Sequence, residues 1–478
     1  MKKKISENIE YLSQRLGNTD DLIIRQIDVS GKKCAVVYIM GLTDISAVSK
    51  FVILPLTKST NKISSLDNLI DKVILFSEVK KQSDNEKIIL DILKGKAILI
   101  VDGFSQVLSF ATDKFKERAI TEPPTSSVLK GPREGFVESI KTNLSVMRRI
   151  LATPKLRTHN LNVGKHTSTS VSLMYIDGIV DMEVVELVKK RIEEINIDGI
   201  IDSFYIAGHL EEHKNSMFRQ IGNSEKPDVI ASKLLEGKVA ILVDGSPMVL
   251  TVPFIFMEDL QSGDDYYNNH SRATFVRWIR IFSVFITILT PALYIAVVLH
   301  HYKAIPLKFL ITIVNSTKGL PLTPFAEILF VLILFEILYE ASLRMPKYLG
   351  LALSIVGALI LGDTAVKAGL ISPPAVMIVA ISGLTIYCIP EQAPQLYIMR
   401  MLFTLAGGFM GFFGITALLV FFIAYLCDFD SYKSAYLGPI APYSQSDMKD
   451  SLYKTDITNM KTRPESFANN PKNKIRKR

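Results

Sequence analysis

Cysteine is nearly absent. The 478 residues hold three, Cys34, Cys388 and Cys427, too far apart for a disulfide framework, a zinc set or a C-x-x-C pair. Nucleotide and nucleophile signatures are also missing. There is no G-x-G-x-x-G and no G-x-S-x-G, and Gly164-Lys-His-Thr167 fails as a phosphate loop because His stands where Ser or Thr is needed and no Gly opens the motif. No strong charge excess exists either: 55 Lys and Arg against 47 Asp and Glu give +8. That is modest for a nucleic-acid surface and suits basic residues flanking a membrane. A signal-peptide pattern is lacking, since Glu7, Glu10 and Arg15 occupy the place of an apolar core. The N-terminal region is therefore expected to stay on the cytoplasmic side. Charge itself is scarce from about Asp265 to Leu426 and dense on both sides. That middle third makes the mean hydropathy positive and excludes a purely soluble or a disordered chain.

What is present before Asp265 reads as α/β. Four short apolar runs, Cys34–Met40, Ala97–Val101, Val171–Ile176 and Val239–Val243, are bounded by Gly and Asp as buried strands are. Helical patterns at Ile45–Phe51, Leu66–Val73 and Val184–Ile195 lie between them. The region repeats itself: Gly95-Lys-Ala-Ile-Leu-Ile-Val-Asp-Gly103 returns as Gly237-Lys-Val-Ala-Ile-Leu-Val-Asp-Gly245, and Tyr38-Ile-Met-Gly-Leu-Thr-Asp44 as Tyr175-Ile-Asp-Gly-Ile-Val-Asp181. Two related α/β subdomains are expected, over 1–140 and 141–265, with a linker helix near 131–150. Each Asp-Gly reads first as a turn.

From 272 to 427 about five to six hydrophobic segments suggest a polytopic α-helical membrane domain. They are Trp278–Leu299, Thr323–Leu343, Tyr348–Leu370, Pro374–Ile389 and Ile398–Cys427, with a shorter piece, Ile305–Val314, that carries Lys308. Trp278–Leu299 is long enough for about 30 Å of hydrocarbon. Arg272, Arg277 and Arg280 before it mark a cytoplasmic flank. The tail, 428–478, is basic as well, so both ends inside require an even number of spans; four and six stay open. Glu327, Glu336, Glu340 and Arg344 give the second segment a polar face, either ion-paired near the helix end or turned to a protein or water interior. The third segment is crowded with Gly, Ala and Ser, which allows close helix packing. One of its faces carries Val356, Leu359, Asp363 and Val366 or Lys367. Several copies of that face around an axis would set a carboxylate ring beside an apolar constriction, a recipe for cation selection and gating; packing with an Asp363–Lys367 pair is the plainer account.

Evidence for an enzyme is lacking, and no catalytic residue, metal or cofactor is expected. His209-Leu-Glu-Glu-His213 matches H-x-x-E-H, but such a site needs a further carboxylate from another helix and His213 lies in a loop-like polar stretch. The stretch joining the subdomains is more unusual: Gly131-Pro-Arg-Glu-Gly-Phe136, Glu138, Thr142-Asn-Leu144 and Arg148-Arg149. A turn and a charged helix face account for it, with Arg133 and Glu134 able to form a subunit-facing ion pair.

These residues carry a resemblance. The stretch from Gly131 to Arg149 resembles the hallmark of the A subunit of GerA-type spore germinant receptors of endospore-forming bacteria. So do Leu235–Pro247, Glu340-Ala-Ser-Leu-Arg-Met-Pro346, Ile355–Gly362, Ala365-Val-Lys-Ala-Gly369, Ala441-Pro-Tyr and Arg463-Pro464, so the resemblance covers essentially the whole chain. The His209–His213 stretch departs from the family pattern. The resemblance implies a multi-pass protein of the spore inner membrane, in contact with lipid, acting with a transporter-like, nutrient-binding B subunit and a lipoprotein C subunit. It implies a homo-pentamer forming a nutrient-gated channel for monovalent cations, with Val356, Leu359, Asp363 and Val366 as pore-lining candidates. Arg133, Glu134, Glu138, Asn143 and Arg148 become inter-subunit assembly candidates. Its rivals are the stage V sporulation AF paralogue, which amplifies ion release, a non-conducting scaffold for the B subunit and, last, a metal-dependent membrane protease.

Overall fold

The apolar runs become the central strands of two five-stranded sheets. A computed structural model describes residues 1–60, 63–112, 130–344, 364–460 and 462–467. The chain divides into two units: Met1–Phe254 with Ser431–Ser434 and Met460–Arg478, and Ile255–Asp430 with Ala435–Asn459.

In the first unit, β1 (Leu22–Val29), β2 (Lys32–Ile39), β3 (Val79–Gln82), β4 (Ala97–Val101) and β5 (Val107–Phe110) form one sheet in the order β1-β2-β4-β5-β3. The second sheet holds β6 (Leu156–Val163), β7 (Thr169–Ile176), β8 (Gly222–Ser224), β9 (Val239–Val243) and β10 (Val249–Val252), in the order β6-β7-β9-β10-β8. Every strand is antiparallel to its neighbours. The central strands are apolar at nearly every residue because helices cover both faces. On one side of the first sheet, Ala35, Val37, Ile98 and Ile100 meet the buried faces of Ile5–Leu16 and Asn85–Leu93. On the other, Cys34, Val36, Leu99 and Val101 meet Val48, Val52, Leu56 and Leu69. The second sheet is clad in the same way.

The repeat holds at the level of single hydrogen bonds. Ala97 pairs with Phe110 as Val239 pairs with Val252, and Cys34 with Val101 as Val171 with Val243. Asp102 Oδ1 accepts the Ile5 N–H and Asp244 Oδ1 the Ile140 N–H, both at 3.0 Å. Gly103 and Gly245, at φ 89° and 90°, donate their N–H to Lys3 O and Glu138 O, both at 2.8 Å. Each Asp-Gly is thus a turn that ties a sheet to the first turn of its leading helix, with Gly supplying the left-handed backbone. The edge strands escaped the sequence reading because β1, β3, β6 and β8 are interrupted by polar residues.

The second unit contains His270–His300, Leu307–Thr317, Pro324–Arg344, Pro373–Ile386 and Ala393–Asp428. Among the described residues two stretches, His270–His300 and Pro390–Asp428, are long and apolar enough to cross a membrane. Leu307–Thr317, with 11 residues, is by itself too short for about 30 Å of hydrocarbon. The expected span Ile398–Cys427 needs correction, because it does not run straight. Gly411, at φ 60° and ψ −144°, breaks the helix, and the Phe403 and Phe422 rings stack at 5.9 Å. A straight helix would hold those residues about 28 Å apart. The stretch is a helical hairpin, with arms before and after Gly411.

Contacts give the directions of the helices. His300 Nε2 lies 2.8 Å from Gly408 O, next to the hairpin turn. Phe325 meets Phe409 and Tyr339 meets Tyr397, so Pro324–Arg344 runs antiparallel to the first arm. Ser372 bonds to Glu327, and Gly383 sits beside Phe335, so Pro373–Ile386 runs in the same sense as Pro324–Arg344. The glycines of the first arm serve close packing, since a Cβ on Gly407 would stand 2.7 Å from Ala292 O.

Candidate functional site

Three groups of polar residues stand out. The first joins the two α/β subdomains. Arg148, on the helix Ile140–Ile150, is 2% exposed, as is its partner Asp21. Its Nε donates to Asp21 Oδ2 at 2.7 Å, Nη2 to Asp21 Oδ1 at 2.8 Å and Nη1 to Leu156 O at 2.9 Å. Thr19 Oγ1 donates to Asp21 Oδ1 at 2.6 Å and accepts the Thr158 N–H at 3.0 Å. The bidentate fork suits Arg and not Lys. Of the five assembly candidates, Arg148 and Asn143 are thus turned into the chain: Asn143 accepts the Val137 N–H and donates to Val137 O. Asn8 makes the same pair of bonds to Lys2 in the first subdomain. Glu134 pairs with Arg149, while Arg133 and Glu138 are exposed. Nothing in the residue pattern marked Asp21, Thr19 or Thr158, because their role depends on the approach of two distant segments.

The second group surrounds His209–His213. Glu212 accepts from Arg191 Nη2 and from the Tyr432 N–H, both at 2.8 Å. His209 Nδ1 faces Tyr205 O at 2.8 Å. The glutamate of the H-x-x-E-H pattern is therefore engaged in holding Tyr432. Among the described residues no group of three or more His, Cys, Asp and Glu is placed to hold a metal ion. Tyr432 is buried in the core of the second subdomain, its hydroxyl donating to Leu210 O at 2.7 Å, with Arg191 over its ring at 5.0 Å. Burial pushes its phenol upward, so the hydroxyl stays a donor.

The third group lies in the helical unit. Glu327 is fully buried, and its Oε1 accepts the Ser372 N–H. Glu336 reaches buried Arg400 at 3.5 Å, and Arg400 Nη1 donates to Ser382 Oγ at 3.3 Å. Arg400 has its own signal in the sequence, a lone Arg inside an apolar run. Glu340 and Arg344 pair on the exposed surface. Val366 packs against the apolar cluster around Ile328 and Val331; Val356, Leu359 and Asp363 lie outside the described residues. At the start of His270–His300, Arg277 and Arg280 are drawn into buried bonds and do not face outward. Asp265 accepts from both, at 3.2 and 2.8 Å, and Arg277 also donates to Asp450 Oδ1 at 3.0 Å.

The sequence matches the family model of the Bacillus/Clostridium GerA spore germination protein over residues 10–466. It is 35% identical to spore germination protein KA of Bacillus subtilis, covering 98% of this chain and 87% of that protein. It is 32% identical to spore germination protein GerLA of Bacillus cereus, covering 96% and 94%. A crystal structure of the N-terminal domain of the A subunit of the Bacillus megaterium spore germinant receptor GerK3 aligns with 32% identity and a TM-score of 0.43, over 54% of this chain and 97% of that one. The chain belongs to the GerA family of spore germination proteins.

Proposed function

We propose that this chain is the A subunit of a nutrient-responsive germinant receptor. Its helical unit would cross the spore inner membrane and assemble as a homo-oligomeric ring, a pentamer, that releases monovalent cations when nutrient binds. The B subunit would bind the nutrient and the C subunit would be the lipoprotein partner; the chain itself would be non-catalytic. The observation that carries this reading is the folded-back apolar helical unit in a chain of this family. It favours an even number of crossings. Arg277, at the start of the first long helix, bonds to Asp450 of the tail, and the Lys454 N–H bonds to Thr274 Oγ1 at 3.0 Å. The entrance and the tail therefore share one end of the bundle, the side we assign to the spore core.

Glu336, Arg400 and Ser382 support the reading as well, because charged groups inside a membrane bundle are costly and mark functional interiors. Arg133 and Glu138 remain the assembly candidates with exposed side chains. The test is cation efflux from spores carrying Val356→Ala. Leak without nutrient, or spontaneous germination, is the expected result. Normal nutrient-dependent efflux with assembly intact would reject the pore assignment, and the same result with Asp363 also replaced would favour the scaffold reading. Efflux that only amplifies release begun by another receptor would indicate the stage V paralogue's role.

A further inference from the structure

We propose that Glu327, Tyr294 and Ser372 supply the protein oxygens of a binding site for one monovalent metal cation inside the helical unit. Glu327 Oε1 takes the Ser372 N–H at the start of Pro373–Ile386, where the positive end of the helix favours a charged carboxylate. The other oxygen, Oε2, is buried without a hydrogen-bond partner among the described residues, and so is the Tyr294 hydroxyl. Tyr294 interacts electrostatically with Glu327 and stands beside the Ser372 side chain. The surroundings are apolar: Ile295, Ile328, Val331, Leu332 and Ile371. A carboxylate oxygen left bare in such a core is costly unless a cation or a proton meets it, and the salt and pH arms of the test separate the two.

The chemistry of the donors selects the ion. Two hydroxyls and a carboxylate are hard oxygen ligands, which suit alkali metals over soft transition metals. One carboxylate with two neutral hydroxyls is balanced by a single positive charge, whereas a divalent ion would leave net charge buried. The donors come from three separate places, His270–His300, Pro324–Arg344 and the start of Pro373–Ile386, so a bound cation ties these elements together. This site does not depend on whether the chain conducts.

The test is equilibrium binding to the full chain in zwitterionic nanodiscs. Lithium, sodium, potassium and rubidium chlorides are compared with choline chloride at constant ionic strength, following the melting temperature and the uptake of radiolabelled rubidium. A saturable rise in melting temperature with at least one alkali ion is expected. Glu327→Gln, which keeps an acceptor for the Ser372 N–H, should raise the half-saturating concentration at least tenfold, and Tyr294→Phe should raise it by less. An equal response to choline, a response only to divalent ions or only to pH, or unchanged saturation in Glu327→Gln would overturn the site. Should Glu327→Gln not fold, absence of saturable rubidium uptake by the unaltered chain, or an unchanged response in Tyr294→Phe, would overturn it equally.

Discussion

Replacing Arg148 by Ala should separate the two α/β subdomains without unfolding either sheet. Each guanidinium nitrogen of Arg148 donates inside the chain, and Asp21 is as buried as Arg148 itself. Removing the guanidinium strands a carboxylate in the interior, for which about 3–5 kcal/mol is the usual loss. The local observable is amide exchange where the subdomains meet. The Thr158 N–H bonds to Thr19 Oγ1, and the Asn160 N–H to Asp20 Oδ2 at 2.7 Å. If these amides exchange when the subdomains part, their protection should fall by about two to three and a half orders of magnitude, at roughly 1.4 kcal/mol per factor of ten. The central strands β4 and β9 should keep theirs. In a double-mutant cycle Asp21→Ala/Arg148→Ala should lose much less than the sum of the single changes, because neither charge is then left alone. Protection lowered less than tenfold by Arg148→Ala, or strict additivity in the cycle, would refute the argument.

Other outcomes follow from single contacts. Tyr432→Phe should cost about 1 kcal/mol or less in thermal unfolding, because Leu210 O keeps Arg191 Nη1 as a donor at 2.9 Å; Tyr432→Ala, which empties a core position, should cost about 3–5 kcal/mol. Spin labels at 403 and 422 should broaden each other's spectra strongly, since the two sites face each other across the Gly411 turn; sharp spectra would mean a straight helix. Gly411→Ala should weaken that turn, because its φ of 60° disfavours a side chain and a Cβ would stand 3.1 Å from His300. Burial raises the carboxyl of Glu211, at the C-terminal cap of Ser203–Leu210, where negative charge is also disfavoured. A raised value in the folded chain means that this group's contribution is fully present below its unfolded value and is lost as pH rises through the folded one. Glu211→Gln should therefore be more stable than the parent at neutral pH and equal to it at acid pH, as measured by denaturant midpoints.

The core of the α/β unit was legible in the sequence because its strands are buried on both faces and therefore read as unbroken apolar runs. Their repetition marked two copies of one unit, while the order of the strands within each sheet came only from the structure. The polar edges were illegible for the same reason: Val79-Lys-Lys-Gln82 and Gly222-Asn-Ser224 pack little apolar surface and are strands only because β5 and β10 offer them a free ladder. In the helical unit hydropathy located the described helices but not their path, and most of the expected segment Tyr348–Leu370 lies outside the described residues. Ile398–Cys427 is long enough to read as one span, and the only mark of its reversal is Gly411 among other glycines that serve packing. Likewise Glu327 stood out as a charge in an apolar helix, yet its partners Ser372 and Tyr294 lie on other elements.

The two subdomains share a frame and differ in what has been added to it. In both, an Asn fixes the approach to the leading helix, an Asp caps it and a Gly closes the turn. Only the second leading helix carries an Arg that reaches the other subdomain. Its equivalent face on Ile5–Leu16 ends in Ser13 and Gln14, which are too short to repeat the Arg148 fork. Only the second subdomain, in turn, takes in Tyr432, a residue that the chain delivers after the last apolar helix has ended at Asp428. The duplicated fold is therefore asymmetric: one copy holds its twin through Arg148 and buries Tyr432 in its core. Loss of Arg148 and loss of Tyr432 should therefore be distinguishable, the first exposing amides on β6 and the second those of Ser203–Leu210, with the sheets intact in both.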